Sequence, residues 1–451
     1  MRFYNREPEL QQIKAWSQQA ASASGSGLMT LVVGRRRVGK TALLNKAFPQ
    51  NKNHPSIYLF VSRKQEPLLC EEFVEQIRTV LKIPVFGAPT RMRDVMEILL
   101  QYSCTTPVTL ILDEFQDFQR VNKAFFSELQ DLWDRYKQQS HMHLICCGSL
   151  YSLMTRLFQD SREPLFARAD NRINLQPLRP RYIAELLRDQ KQFSAETLLQ
   201  WYMLSGGVPK YLEWLANTPS NLPLKAGFWQ GLINEHSLVI EEGHYRLAEE
   251  FGPEHGTYFS ILAAIASGST SRPGIESLLG ISVGPQLDRL ENEFDIIVRH
   301  RPVLSKPGTR LVKYRIADAF LAFWFRFIYR YRSAIEIGNY GFIHQIIERD
   351  YPTWSEPWLE QIFRETVAES GDYNIVGSYW ERGNQNEIDL VAVNELEKKA
   401  LIAEVKRNPK NIRLSHLRDK SVKLCQQLKG YEIRFAGYSL GDIEGLFVEG
   451  N

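Results

Sequence analysis

Short apolar runs recur through the first third of the chain, at 28–33 (LMTLVV), 56–61 (SIYLFV), 108–113 (VTLILD) and 143–147 (HLICC), with helical spacing of apolar residues between them. Runs this brief and this apolar are strands buried on both faces, and their alternation with helices predicts a mostly parallel α/β sheet. QQAASASGSG, before Leu28, reads as a loop entering the first strand. From Pro180 to about Ala216 the pattern is helical, and NTPSNLP at 217–223 marks a linker. Three helices follow, YFSILAAIA from Tyr258, then Pro273 to Leu279, a turn at Gly280, and Ser282 to Phe294; two β-rich runs split by SKPGT come next. That order predicts a winged helix-turn-helix. After Tyr351 a helical stretch, EPWLEQIFRETVAES, leads into the strands NIVGSYW, EIDLVAV and ALIAEVK, a basic helix and a last strand, IRFAGYS. These predict a small α/β domain of about 100 residues.

Composition narrows the class without selecting a partner. The chain has 451 residues, 44% hydrophobic and 24% charged, enough for two or three globular cores. A net charge of +3 neither demands nor excludes nucleic acid, so any basic surface must be local. MRFYNREPEL has no apolar leader core, and the most hydrophobic tract, Phe320 to Tyr331, is too short to cross a bilayer and carries Arg326 and Arg330. No membrane role is expected. Cys70, Cys104, Cys146, Cys147 and Cys425 form no C-x-x-C pair, and reduced thiols in a cytoplasmic protein are the expectation.

Chemistry concentrates first at GRRRVGKT, the residues Gly34, Arg35, Arg36, Arg37, Val38, Gly39, Lys40 and Thr41, followed by Ala42. The segment fits G-x-x-x-x-G-K-[ST], follows an apolar strand and opens a helix, the context a phosphate-binding loop requires. Backbone N–H groups then cradle phosphate oxygens, Lys40 reaches the β/γ-phosphates of ATP, and the Thr41 hydroxyl ligates Mg2+. VTLILDEFQDF is an apolar strand ending in two acids: Asp113 is expected to hold the Mg2+, and Glu114 to polarise the attacking water as general base. Ser149, after HLICC, is a γ-phosphate sensor or simply part of a Gly-Ser turn. Arg168 is an arginine finger for a neighbouring subunit, a sensor in cis, or a surface arginine.

Taken with FYNREPEL at 3–10, LDEF, CGS, PLFAR and SGGVPKYL at 205–212, this set resembles the archaeal-type ATPase family, a clade related to AAA+ and signal-transducing NTPases. The resemblance implies that Arg6 and Glu7 lie near the adenine and that Gly206, Gly207 and Pro209 belong to a helical lid. Relatives usually carry Gly-Arg after the aromatic of PLF, whereas this chain has Ala167-Arg168.

In the carboxyl-terminal segment, strand alternation puts Glu387 with Asp389, and Glu404 with Lys406, on one face each. Two acids on neighbouring strands and a lysine two residues on suit metal-dependent phosphodiester cleavage: hard oxygen ligands for magnesium, and an ammonium to orient water. The pattern resembles the PD-(D/E)xK nuclease superfamily, with Asp389, Glu404 and Lys406 matching its core and Glu360 as an extra ligand. In archaeal-type ATPases this region resembles an associated domain of unknown function placed in that superfamily. The bland alternative is a salt-bridge cluster on an inactive scaffold. From Lys398 to Arg434 there are eleven Lys/Arg against three Asp/Glu, among them Lys406, Arg407, Lys410, Arg413, Arg418, Lys420 and Lys423, a flank that suits a polyanion or is a solvated face.

The third helix of the winged segment offers Gln286, Arg289 and Asn292 but also Asp288, Glu291 and Glu293, whereas the wing carries Arg299, His300, Arg301, Lys306, Arg310 and Lys313. Wing-led contact with DNA backbone, or docking to a protein, is therefore expected over base readout. The whole reads as an α/β chain: a P-loop NTPase parallel sheet (1–176) with a helical lid (177–220), a winged helix-turn-helix region (221–340) and a restriction-endonuclease-like domain (341–451). Its expected function is ATP-dependent control of a nuclease-like domain acting on DNA, as a homo-oligomer or with a partner protein. The alternative is a nucleotide-switched regulator with an inactive nuclease fold.

Overall fold

The computed structural model describes residues 3–22, 24–49, 55–149, 151–217, 227–251, 255–306 and 308–447. Apart from Asn217, the linker expected at 217–223 lies outside the described residues, as do Ala23 of the first loop and Pro307 of SKPGT.

One compact unit runs from Asn5 to Gln176. Its sheet holds β1 (Leu28–Val33), β2 (Ser56–Phe60), β3 (Val108–Asp113), β4 (Met142–Cys147) and β5 (Asn171–Asn174), all parallel, in the order β2-β3-β4-β1-β5. Every residue of β1, β3 and β4 is buried, which is why these strands read as unbroken apolar runs. β5, the short edge strand NRIN, buries Ile173 alone, so its sequence carries no strand signal. Because β4 lies between β1 and β3, the loops leaving all three strands emerge side by side at one edge of the sheet.

A second compact unit is built from Pro177 onward and includes Tyr4, whose hydroxyl donates to Asp189 (2.8 Å). It begins with the helices Pro180–Asp189, Ala195–Ser205 and Pro209–Asn217. Further on, the helices His255–Ala266, Arg272–Leu279 and Gly284–Asn292 precede an antiparallel hairpin of β6 (Ile297–His300) and β7 (Lys313–Ile316). The apolar tract beginning at Phe320 is core, with Phe320, Phe323, Trp324, Phe325 and Phe327 all buried, and no helix among the described residues is long and apolar enough to cross a membrane. The helix expected after Tyr351 begins earlier, at Tyr340, and runs through Pro352 and Pro357 to Glu369. Its buried side, with Ile343, Ile347, Leu359, Ile362 and Phe363, holds it across both prolines.

The final sheet contains β8 (Ile375–Tyr379), β9 (Ile388–Asn394), β10 (Lys399–Lys406) and β11 (Glu432–Ser439), in the order β11-β10-β9-β8. β9 is antiparallel to both neighbours, and β10 and β11 are parallel. The helices Pro180–Asp189, Ala195–Ser205 and Pro209–Asn217, the helix-and-hairpin segment and much of this sheet share one continuous core, from Leu178 through Trp201, Phe259 and Phe323 to Phe363 and Ala403.

Candidate functional site

β1 delivers the loop Gly34–Gly39 to the sheet edge, and Gly39 turns the chain into the helix Lys40–Ala47 with a left-handed φ of 97°. Gly34 is required by packing: a Cβ there would stand 2.6 Å from the Leu175 carbonyl oxygen. Lys40 is buried, and its ammonium donates to the carbonyls of Gly34 (2.9 Å) and Arg35 (3.2 Å). Burial lowers its pKa, opposed in part by Cys147, Glu114 and Asp113, so the lysine and both acids share one electrostatic neighbourhood.

The acids come from the end of β3. Thr41 Oγ1 donates to Asp113 Oδ2 (3.0 Å), setting two hard oxygens side by side as a magnesium ion requires. Glu114 takes a left-handed φ of 53°, and its carboxylate accepts from Ser149 Oγ (2.6 Å) and from Gln116 Nε2. Ser149, at the end of β4, is thus brought to the proposed base. Arg6 sits at the same edge, donating to the Gln176 carbonyl (2.6 Å) just beyond β5. Three members were not read from the sequence. Tyr58, on β2, donates its phenol to Asp113; Gln116 holds Glu114; and the buried Cys147 thiol, its pKa raised by burial and then by Asp113, shares the electrostatic neighbourhood of both acids and Lys40. Nothing in the local sequence of SIYLF distinguishes Tyr58 from an ordinary edge-strand aromatic.

Arg168 belongs elsewhere. It precedes β5, which runs parallel to β1 with Asn171 opposite Thr30, so it lies at the N-terminal edge of the sheet, about 20 Å from the loop edge for a six-residue strand. Its guanidinium grips Asp134 with Nε and Nη2 (3.0 and 2.9 Å). The cis-sensor expectation therefore fails on distance. Ala167 adopts a left-handed φ of 56°.

In the second unit, Gly206 caps the helix Ala195–Ser205, and Gly207 lies against Leu178, which donates from its N–H to the Gly207 carbonyl (2.8 Å). At the ends of β9 and β10, Asp389 Oδ2 accepts from the Val405 N–H (2.9 Å) and Lys406 Nζ (3.2 Å). Glu404, also buried, accepts from Lys420 Nζ and the Arg413 N–H (both 3.3 Å). Glu360 accepts from Arg364 (3.2 Å), which also donates to the Asp389 carbonyl (2.6 Å). Burial, then the Asp389 charge, pushes the Glu360 carboxyl up to about 7. Each acid is thus answered by its own cation, and among the described residues no three His, Cys, Asp or Glu side chains group to hold a metal. The expected ligand set Asp389, Glu404 and Glu360 does not fit a divalent ion in this arrangement. Glu387, expected beside Asp389, is more than half exposed and pairs instead with Lys313 (2.8 Å).

The basic flank is also partly spent. Arg407 bonds Glu196 (2.7 Å) and Ser355 (2.8 Å), Lys423 pairs with Glu381, and Lys406 and Lys420 are engaged as above; Lys410, Arg413 and Arg418 are exposed. On the hairpin, Arg299 pairs with Glu291, and His300 is held down to about 3 by burial and then by Arg315, so it is neutral. Arg301, Lys306 and Arg310 remain exposed.

Residues 3–215 match the model for an ATPase domain predominantly from Archaea, and residues 324–416 match that of archaeal and bacterial proteins of unknown function. An uncharacterized protein of Methanocaldococcus jannaschii is 27% identical over 434 residues, covering 93% of this chain and 89% of that one. The Walker-type ATPase paby2304 of Pyrococcus abyssi superposes with a TM-score of 0.50 at 18% identity, over 72% of this chain and 96% of that one, and so shares the fold. With the loop Gly34–Thr41, the acids of β3 and the match over 3–215 in agreement, residues 3–215 are similar to the ATPase domains found predominantly in Archaea, and the chain carries a P-loop ATPase site.

Proposed function

We propose that the chain is an ATP-hydrolysing switch whose lid and carboxyl-terminal domain move as one body, with DNA backbone as the surface that body engages. The observation that carries this reading is the set of ties from lid to carboxyl-terminal domain: Tyr202 OH to Glu365 (2.6 Å), Arg407 to Glu196 (2.7 Å) and Arg179 to Glu369 (2.8 Å). Arg179 is 60% exposed and its pair contributes about 0–1 kcal/mol, the two less exposed ties about 1–2 kcal/mol each, and all three rest on a shared apolar core. A lid held this way carries the domain with it whenever nucleotide reorders the lid.

At the nucleotide, Lys40 would exchange the loop carbonyls for phosphate oxygens, and Thr41 with Asp113 would hold Mg2+, which offsets charge on the β- and γ-phosphates. Glu114 would accept the proton of the attacking water once freed from Ser149 and Gln116. The three helices and hairpin fit a winged helix whose wing, through Arg301, Lys306 and Arg310, meets backbone phosphate. Its third helix spends Arg289 on Glu293 (3.0 Å) and is a poor base reader. Glu114→Gln should retain ATP binding and lose about 100-fold or more in turnover; unchanged turnover would remove Glu114 from its role.

A second reading, a nuclease, is supported by the convergence of Asp389 and Lys406 at 3.2 Å. It requires Lys420 to release Glu404. Cleavage of labelled DNA that Asp389→Ala and Lys406→Ala both abolish would favour it over the switch with an inert domain.

A further inference from the structure

Within the second unit a cavity of about 490 Å3 opens between β7 and the long helix Tyr340–Glu369. Its wall combines the rings of Trp354 and Trp358 with three guanidinium groups, Arg315, Arg326 and Arg349, against the one carboxylate of Asp350. Asp350 is shared, accepting from Arg326 (2.8 Å) and Arg349 (2.7 Å), so three positive charges less one negative leave this wall at +2. Two guanidinium groups are short of acceptors. Arg315 donates no hydrogen bond to any described residue and lies 5.6 Å from the centre of the Trp358 ring, while Glu360 and Glu365 act on it only through longer-range charge. Arg326 Nε is a buried donor with no acceptor.

We propose that this cavity binds a small phosphate ester carrying a flat ring, a mononucleotide in size and chemistry, at a site separate from the phosphate loop. The phosphate supplies the acceptors that Arg315 lacks, and its several oxygens serve donors arriving from different elements, which a single carboxylate does less well. The base lies against Trp354, whose ring is tilted 59° from that of Trp358, so that one indole stacks on the base and the other bounds its edge. Arg349, the most exposed of the three arginines, closes the mouth. The volume falls within the roughly 300–1,000 Å3 of small-ligand sites. The same long helix carries Glu360 and Arg364, so an occupant would bear directly on the acidic cluster.

The test is calorimetric titration of the full chain carrying Lys40→Ala, which weakens phosphate binding at the loop, with AMP, UMP, adenosine and inorganic phosphate as probes. Both nucleotides should bind one to one, adenosine and phosphate at least tenfold more weakly. Adding Arg315→Met or Trp358→Leu should weaken AMP at least tenfold. Arg349→Gln, at the exposed rim where the core is untouched, should weaken AMP several-fold and serves if a core variant does not fold. Absence of nucleotide binding, AMP affinity untouched by Arg315→Met and Arg349→Gln, or phosphate binding as tightly as AMP would each overturn the proposal.

Discussion

At the scale of single residues, the nucleotide site rests in a self-satisfied state. Asp113 accepts from Thr41, from Tyr58 and, through its other oxygen, from the Glu114 N–H (2.9 Å), while Glu114 is occupied by Ser149 and Gln116. The Tyr58 phenol competes with any cation for Asp113 Oδ2. Burial and then this hydrogen bond hold the phenol's pKa far above the ordinary tyrosine value, so it remains a donor at all working pH. Tyr58→Phe keeps the ring and removes that competitor; a net hydrogen bond of about 1 kcal/mol corresponds to roughly a fivefold lower magnesium concentration at half-maximal ATPase rate. A magnesium titration with an unmoved midpoint would show that the phenol does not restrain Asp113. Glu360 gives a pH prediction. Its folded pKa of about 7 lies above the ordinary 4.5, so the folded chain binds this proton more tightly than the unfolded chain. Stability from this group is complete below about pH 4.5 and is lost as pH rises through about 7. Glu360→Gln should flatten the decline between pH 5 and 8 by about 1–2 kcal/mol in denaturant unfolding, since Arg364 keeps Gln361 and the Asp389 carbonyl as partners. An equally steep decline in the variant would assign the pH dependence to other groups.

At the scale of elements, what the sequence made legible follows burial. β1, β3 and β4 are buried throughout and announce themselves, and Gly34–Thr41 carries its own context. β5 and the start of the long helix do not, because an edge strand needs few apolar residues and prolines inside a helix mimic its beginning. The candidate acids of the last sheet were legible by alternation, but their partners were not: Lys420 lies 16 residues from Glu404, and no local pattern predicts that pairing. Gly207 shows the same limit. Its φ of 77° could be guessed from a helix end, but a Cβ at this position would stand 1.8 Å from the Leu178 carbonyl oxygen, a contact made across two elements. Gly207→Ala should therefore cost about 2–4 kcal/mol, more than the loss of conformational freedom alone explains. Denaturant unfolding that moved by less than about 1 kcal/mol would mean that the backbone shifts aside there.

At the scale of the molecule, the decisive element is the helix Ala195–Ser205. All of its residues except Glu196 are buried, so it has no solvent face and must be covered on every side. The cover comes from the neighbouring helices Pro180–Asp189 and Pro209–Asn217, and from Ala319–Phe323 and Tyr340–Glu369 far downstream. The one half-buried position is used as well: Glu196 accepts from Arg407 and from the Tyr351 phenol. A division that ends the ATPase with its lid near residue 217 thus cuts through a core, although the sequence pattern invites it. A chain cut after Asn217 would leave Trp201, Tyr202 and Leu204 without part of their cover. It should bind hydrophobic dye, unfold without a sharp transition and lose ATP turnover, whereas the full chain unfolds its lid and carboxyl-terminal domain together. In the full chain, a double-mutant cycle over Glu196→Gln and Arg407→Met should return a coupling of about 1–2 kcal/mol, because the pair is partly screened from solvent. A truncated chain that melts sharply and keeps its ATPase rate would show that the lid folds on its own, and the transmission from nucleotide to the carboxyl-terminal domain would then need a hinge between them.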